Sequence, residues 1–321
     1  MSQGRPPRRR PPRRRPSRRR PRRLRAGDRV AVVAPGGPVP GERLDNGIAR
    51  LTSWGLEVVR GQHLSDRHPV LPYLAGEDRA RAADLQRAWC DPGIAAVFCA
   101  RGGYGCLRTL QHLDLPAMAG AEPKVFAGSS DVTALHAVLG PWCDLVTLFA
   151  PMIATAAFDV PDTHEHLRRT LFEPAATTVL RGPRAEPLVG GRASGVTVGG
   201  TLSLLVSGMG VREVPPPPDG AIAIIEDVDE APYRVDHFLT HLLRAGWFDR
   251  VAGVALGSWH ACGPPEEIRN VVADRLGPLG IPVIWELGFG HGACQLTIPL
   301  GAAAELDAGA GTLTLLEPAL A

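Results

Sequence analysis

From Gly27 onward the apolar residues come in short runs, separated by segments in which they recur three or four positions apart. RVAVVAPGGPV (29–39) reads as a strand closed by a Gly/Pro loop, GERLDNGIARLTSWG (41–55) as a helix and LEVVRG (56–61) as a second strand. DRARAADLQRAWCDP (78–92) has helical spacing, and GIAAVFCARGGYG (93–105) is a buried strand that runs into a glycine loop. After a further helix, KVFAGSSDVTALHAVLG (124–140) repeats strand, turn and helix. Strands that alternate with helices over short loops predict a parallel sheet covered on both faces. We assign this α/β domain, a flavodoxin/Rossmann-like parallel sheet, to residues 26–150.

Residues 151–195 break the rhythm. FEPAATTVLRGPRAEPLVGGRASG (172–195) is rich in proline, glycine and alanine, so the connection between domains is placed there. The second half, 196–321, contains GGTLSLLVSGMG (199–210) and four prolines at 215–218, then a strongly apolar strand, AIAIIED (221–227). A helical stretch, APYRVDHFLTHLLRAGWF (231–248), precedes further short strands. The mixture predicts a smaller mixed α/β C-terminal domain.

Charge changes the picture only at the start of the chain. Residues 1–25 hold thirteen arginines, six prolines and no acidic residue, leaving 22 basic against 33 acidic side chains, a net −11, on the other 296 residues. Prolines deny this arm a helix and like charges keep it extended, so it is expected to be disordered. It would serve either as a tether to nucleic acid or anionic lipid, or as an extension without function, the reading we favour. A single lysine, Lys124, against 34 arginines fits a GC-rich coding bias. No apolar run approaches the roughly 18 residues of a membrane span and no secretory core follows the arm, so no transmembrane segment is expected and the cytoplasm is the expected location. Six cysteines without a CxxC pair are expected as reduced thiols, and His237 and His241, four apart, lack the third ligand of a metal site.

Ligands of open parallel sheets collect beyond the carboxyl ends of strands, so the residues after AAVFCA and KVFAG should face one crevice. A serine on a tight strand-to-helix turn stands exposed above a sheet, near free N–H groups of the first helical turn. Ser129 and Ser130 both occupy that turn after Gly128, and Val132 replaces the last glycine of a G-x-S-x-G elbow. Either serine could instead cap the helix, with Asp131 in its first turn. The loop RGGYG (101–105) would let backbone amides approach a developing oxyanion. A serine nucleophile needs a base oriented by a carboxylate. Glu226 and Asp227 end the apolar strand of IIEDVDE, and His291 stands between glycines in GFGHG, whereas His136 reads as a packing histidine.

Seven segments, GDRVAVVAPGGPV, YLAGEDRARAADLQ, ARGGYG, AGSSDVTALH, GGTLSLL, IIEDVDEAPYRVDHFL and GHGACQLTIPLG, together resemble the LD-carboxypeptidase family in order, over about Gly27 to Gly301. The family comprises serine peptidases that remove the terminal D-alanine of murein tetrapeptides during cell-wall recycling, and microcin-immunity peptidases are its relatives. By this resemblance Ser130 is the nucleophile, Glu226 the carboxylate and His291 the base, with the backbone N–H groups of Gly103 and Asp131 as oxyanion hole. It also implies a small peptide substrate, a homodimer and no metal or cofactor. Arg101 is the candidate partner for the carboxylate of the released residue, with Tyr104 beside it. The chain departs from the family pattern at Ser129, where an aromatic is usual, at Thr201, where Asn is usual, and at His237, where Arg is usual. A glutamine amidotransferase is disfavoured, because the elbow carries no cysteine. The alternative reading is a related peptidase that gives self-immunity by cleaving a peptide-nucleotide antibiotic.

Overall fold

The structure, a computed structural model, describes residues 17–293 and 295–321. The first strands are β1 (Arg29–Val33), β2 (Glu57–Arg60), β3 (Ala96–Cys99), β4 (Val125–Gly128) and β5 (Thr147–Phe149). They pair in parallel in the order β2-β1-β3-β4-β5. The order reverses between β1 and β3, which places a crevice beyond their carboxyl ends. The helices of this half are α1 (Gly41–Ser53), α2 (Asp78–Cys90), α3 (Cys106–Leu110), α4 (Leu115–Gly120) and α5 (Thr133–Trp142).

The remaining strands are β6 (Val179–Leu180), β7 (Glu186–Val189), β8 (Arg192–Thr201), β9 (Ala221–Val228), β10 (Val251–His260), β11 (Val283–Trp285), β12 (Ile298–Leu300), β13 (Ala303–Asp307) and β14 (Thr312–Leu315). All but β12 form a second, mixed sheet in the order β6-β14-β13-β8-β9-β10-β11-β7, with β8 to β11 parallel at its centre. Strand β12 instead crosses back and pairs antiparallel with β5 at the edge of the first sheet. Helices α6 (Pro161–Phe172), α7 (Leu202–Ser207), α8 (Pro232–Arg244) and α9 (Pro265–Leu276) complete the chain. Among the described residues no helix is long and apolar enough to cross a membrane.

Period-two alternation explains why both sheets are buried on two sides. Val30 and Val32 of β1 share one core with Ile222 and Ile224 of β9, whereas Ala31 and Val33 pack in a second core with α2 and α5. On β9, Ala223 and Ile225 face a third core, with α8 and α9. The same alternation sends Glu226 toward the first core's face and Asp227 toward the α7 side.

The structure corrects one expectation and adds detail to another. The arm was expected to be disordered to residue 25; residues 1–16 lie outside the described residues, but 17–25 pack on the body. Arg18 N–H donates to Gly301 O (3.0 Å), Arg19 N–H to Asp144 O (2.9 Å), and Leu24 N–H to Leu171 O (2.9 Å). Leu24 is fully buried. Prolines forbid a helix, yet an extended chain needs only backbone partners, and these are supplied on both flanks. Room is left for Arg18 as well, since a methyl group at Gly140 would collide with its guanidinium. Arg20 and Arg22 pair with Glu317 and Asp28, so part of the like-charge repulsion is compensated locally. The stretch 151–195, read as a connection, contains α6 and contributes β6, β7 and the start of β8 to the second sheet.

Candidate active site

The turn after β4 separates the two serines. Ser130 has φ +59°, in the left-handed region that non-glycine residues seldom adopt, whereas Ser129 is extended at φ −146°. Ser129 is 4% exposed, while Ser130 keeps some solvent contact. Neither serine side chain caps the helix: Ser129 makes no such bond, and Asp131 points away to accept from Cys106 N–H (2.8 Å). Burial pushes the Asp131 carboxyl above its usual range, against the hydrogen bond from Cys106.

The glycine loops after β1 and β3 close around this turn, as the strand-end argument expects. A methyl group at Gly102 would lie 2.8 Å from Ser130 Cβ, 3.1 Å from its Oγ and 3.2 Å from Asp131 N. The absence of a side chain at Gly102 therefore keeps the space beside the Ser130 hydroxyl open. Gly37 N–H donates to Gly102 O (2.7 Å), and Gly103 adopts φ +86°. Among the described residues the N–H groups of Gly103 and Asp131 have no acceptor. Beneath the loops, the buried Arg81 guanidinium donates to Gly36 O (3.1 Å) and pairs with Asp78, which also holds Arg108. The segment YLAGEDRARAADLQ thus fixes the floor of the crevice.

The second sheet contributes a buried ion pair. Glu226 is fully buried at the end of β9; its Oε2 lies 2.7 Å from His291 Nδ1, and its Oε1 accepts the Thr201 hydroxyl at 2.6 Å. Glycines make this contact close: a methyl at Gly290 would lie 2.5 Å from Glu226 Oε2, and one at Gly257 would lie 2.9 Å from Glu226 Cβ. Ser258 holds the other side of the His291 loop, accepting from Gly292 N–H at 2.8 Å and donating its own N–H to Phe289 O. Burial disfavours the His291 imidazolium, but the charge and hydrogen bond of Glu226 outweigh it, helped by Asp227, and the pKa lies above the ordinary histidine value. The stabilisation that this pair supplies is complete below the ordinary value of about 6.5 and fades as pH rises through the raised one. With Nδ1 bound to a carboxylate, Nε2 is left to act as base.

Asp227 has a separate role. Its carboxylate accepts from Ser203 N–H (2.8 Å) and from the Ser203 hydroxyl (3.2 Å), so it anchors the start of α7. Burial and the charge of Glu226 push it up to about 7, against hydrogen bonds from Val228 and Ser203. His136 is the packing histidine its position suggested: buried, with Nδ1 2.9 Å from Thr147 Oγ1 and Nε2 2.9 Å from Gly128 O, it is held down to about 4 by burial.

Arg101 donates to Pro38 O (2.7 Å) and meets no carboxylate among the described residues. Tyr104 stands edge-on to Tyr73, with ring centroids 5.6 Å apart, and both are about half exposed. Sequence reading gave no structural role to three residues that matter to this geometry: Thr133, Thr201 and Ser258. Thr133 and Thr201 lie inside quoted segments, but nothing in their spacing reveals the partner 68 residues away to which Thr201 N–H donates.

The chain is similar to known proteins over most of its length. The LD-carboxypeptidase N-terminal domain matches residues 30–150 and the C-terminal domain residues 194–306. A Streptomyces coelicolor protein with a provisional carboxypeptidase name is 53% identical over 298 residues, 92% of this chain and 96% of its own. A Bacillus subtilis protein named a probable murein peptide carboxypeptidase is 34% identical, covering 88% of this chain and 90% of its own. Among solved structures, muramoyltetrapeptide carboxypeptidase from Oxalobacter formigenes superposes with a TM-score of 0.75 at 28% identity, over 89% of this chain and 97% of the other. MccF in complex with glutamyl sulfamoyl guanosine shares the fold, with a TM-score of 0.83 at 21% identity over 94% of this chain and 99% of the other. The protein belongs to the LD-carboxypeptidase family, whose two domains together match most of the chain.

Proposed function

We propose that this protein is a serine-type LD-carboxypeptidase that hydrolyses the L,D-peptide bond before the terminal D-alanine of murein tetrapeptides. The observation that carries the reading is the left-handed φ of Ser130 just beyond the carboxyl end of β4, on a turn tied by hydrogen bonds through Thr133 and Thr201 to the buried Glu226–His291 pair. As Ser130 Oγ attacks the amide carbonyl, His291 Nε2 takes its proton and Glu226 stabilises the imidazolium. The carbonyl oxygen becomes an oxyanion, which the N–H groups of Gly103 and Asp131 receive. Collapse breaks the C–N bond, His291 delivers the proton to the departing D-alanine nitrogen, and a serine ester remains. Water, deprotonated by His291, then releases the shortened peptide and restores the hydroxyl. Arg101, without a carboxylate partner among the described residues, takes the carboxylate of D-alanine.

A second reading, cleavage of an aminoacyl-nucleotide conjugate, draws on the exposed Tyr73–Tyr104 pair at the edge of the RGGYG loop, an aromatic surface on which a base would stack. Incubation with a murein tetrapeptide ending in D-alanine, followed by mass spectrometry, tests the first reading, and the expected product is the tripeptide. An intact tetrapeptide beside a cleaved aminoacyl-nucleotide would reverse the order.

A further inference from the structure

We infer that Thr201 and Thr133 form a brace that sets the Glu226 carboxylate relative to the Ser130 turn, and that Thr201 is a positioning residue of the hydrolytic reaction. The inference rests on the serine-hydrolase reading above and extends it to two residues that touch no reacting atom. Its basis is an unbroken run of bonds between the two sheets. Ser130 and Thr133 lie three residues apart on the turn that begins α5. Thr201 N–H donates to Thr133 Oγ1 (3.1 Å), Thr201 Oγ1–H donates to Glu226 Oε1 (2.6 Å), and Glu226 Oε2 pairs with His291 Nδ1 (2.7 Å). Thr133, Thr201 and Glu226 are all within 1% of full burial.

A buried carboxylate needs partners for both oxygens, because water cannot replace a missing one. His291 satisfies one oxygen, and among the described residues the Thr201 hydroxyl is the side-chain donor to the other. Thr201 therefore stabilises the charge of Glu226 and also fixes the rotation of the carboxyl group that aims Oε2 at the imidazole. The backbone is built to bring it there. Gly199 and Gly200 at the end of β8 have φ of +132° and +144°, and a methyl group at Gly200 would collide with the Thr133 side chain. Gly200 thus lets β8 approach α5 closely enough for the Thr201 amide to reach Thr133, while Gly199 lets the strand lie close against Ile224 of β9. The charge on the imidazole appears only during proton transfer, so the brace should act on turnover more than on substrate binding.

The test compares Thr201→Val, Thr201→Ser, Thr133→Val and the double Val variant by steady-state kinetics on the tetrapeptide, with Ser130→Ala as reference. Loss of a hydrogen bond to a charged group predicts that Thr201→Val lowers kcat about ten- to hundredfold, with KM within about threefold. Thr201→Ser should recover most of that loss, and the double variant should be little slower than Thr201→Val alone, because both changes cut one chain. A Thr201→Val enzyme with unchanged kcat, a Thr201→Ser enzyme equally slow, or losses that multiply would overturn the brace. The downfield proton resonance of the His291 Nδ1–Glu226 hydrogen bond supplies a readout independent of turnover: it should move in Thr201→Val and return in Thr201→Ser, and an unmoved resonance rejects the brace. Full turnover in Ser130→Ala would instead reject the serine-hydrolase reading, while that resonance still decides the brace.

Discussion

The two halves of the site are built by different means. Around Ser130 the first sheet works with backbone: a left-handed serine, a glycine loop lacking the one side chain that would fill the space, and N–H groups without acceptors among the described residues. Around Glu226 the second sheet works with buried charge, where a carboxylate shares its two oxygens between an imidazole and a threonine. The first half fixes where a nucleophile stands and what space it has, and its ion pairs, Asp78 with Arg81 and Arg108, support the loops from beneath. The second half fixes where protons go, so its behaviour should follow pH. Substitutions on the two sides should therefore fail in different ways.

The largest effect is expected on the backbone side. Ser130→Ala should remove turnover by about four orders of magnitude or more while leaving the His291 titration in place. Product formation and an NMR titration of the imidazole check both parts, and a variant that keeps turnover would shift the nucleophile to Ser129.

On the charged side, Glu226→Gln is expected to lower kcat by about a thousandfold or more. Its signature is the pH profile. The base must be neutral, so wild-type kcat/KM should rise with pH through a pKa above the ordinary histidine value. Without Glu226, burial dominates and the acid limb should move down toward or below that value. An unmoved limb would mean that a group other than His291 titrates.

A smaller effect isolates packing from charge. Gly290→Ala places a methyl 2.5 Å from Glu226 Oε2 at a residue with φ +100°, so it should cost about 1–3 kcal/mol of stability and displace the imidazole. Thermal unfolding measured beside kcat separates the two losses, and a variant as stable and active as the wild type would show that the His291 loop yields easily. The smallest effect is reserved for Ser129→Ala. Buried, extended and without a capping bond, Ser129 should matter by about fivefold or less in kcat/KM, the equivalent of about 1 kcal/mol.

What could be read in the sequence follows the same division. The short apolar runs and glycine loops located the strand ends, and the structure brings the loops after β1, β3 and β4 together as the parallel-sheet rule requires. The choice between Ser129 and Ser130 was not legible in the residues alone, since it lies in a φ angle that residue types do not encode. The packing of residues 17–25 was hidden for a related reason. Their arginines and prolines advertise solvation, but what holds them is main-chain hydrogen bonding to Gly301, Asp144 and Leu171, together with the space left by Gly140. Thr201 was visible only as a departure from the family's usual Asn, and its bonds to Glu226 and Thr133 go with two bare positions, Gly199 against β9 and Gly200 against α5, whose neighbours the sequence does not name. The return of β12 to the first sheet was equally hidden, because IPL resembles any short apolar strand.

That return gives His291 an unusual mounting. Glu226 belongs to a strand of one sheet and Ser130 to the turn of the other, but the imidazole hangs on a span whose two piers, β11 and β12, stand in different sheets. Between those piers the imidazole is fastened to the second sheet, through Glu226 and through the bonds of Ser258 to Gly292 and Phe289, so a small slide of one sheet past the other would carry His291 with Glu226 and change its reach to Ser130. Proton transfer is thereby geared to the alignment of the two halves.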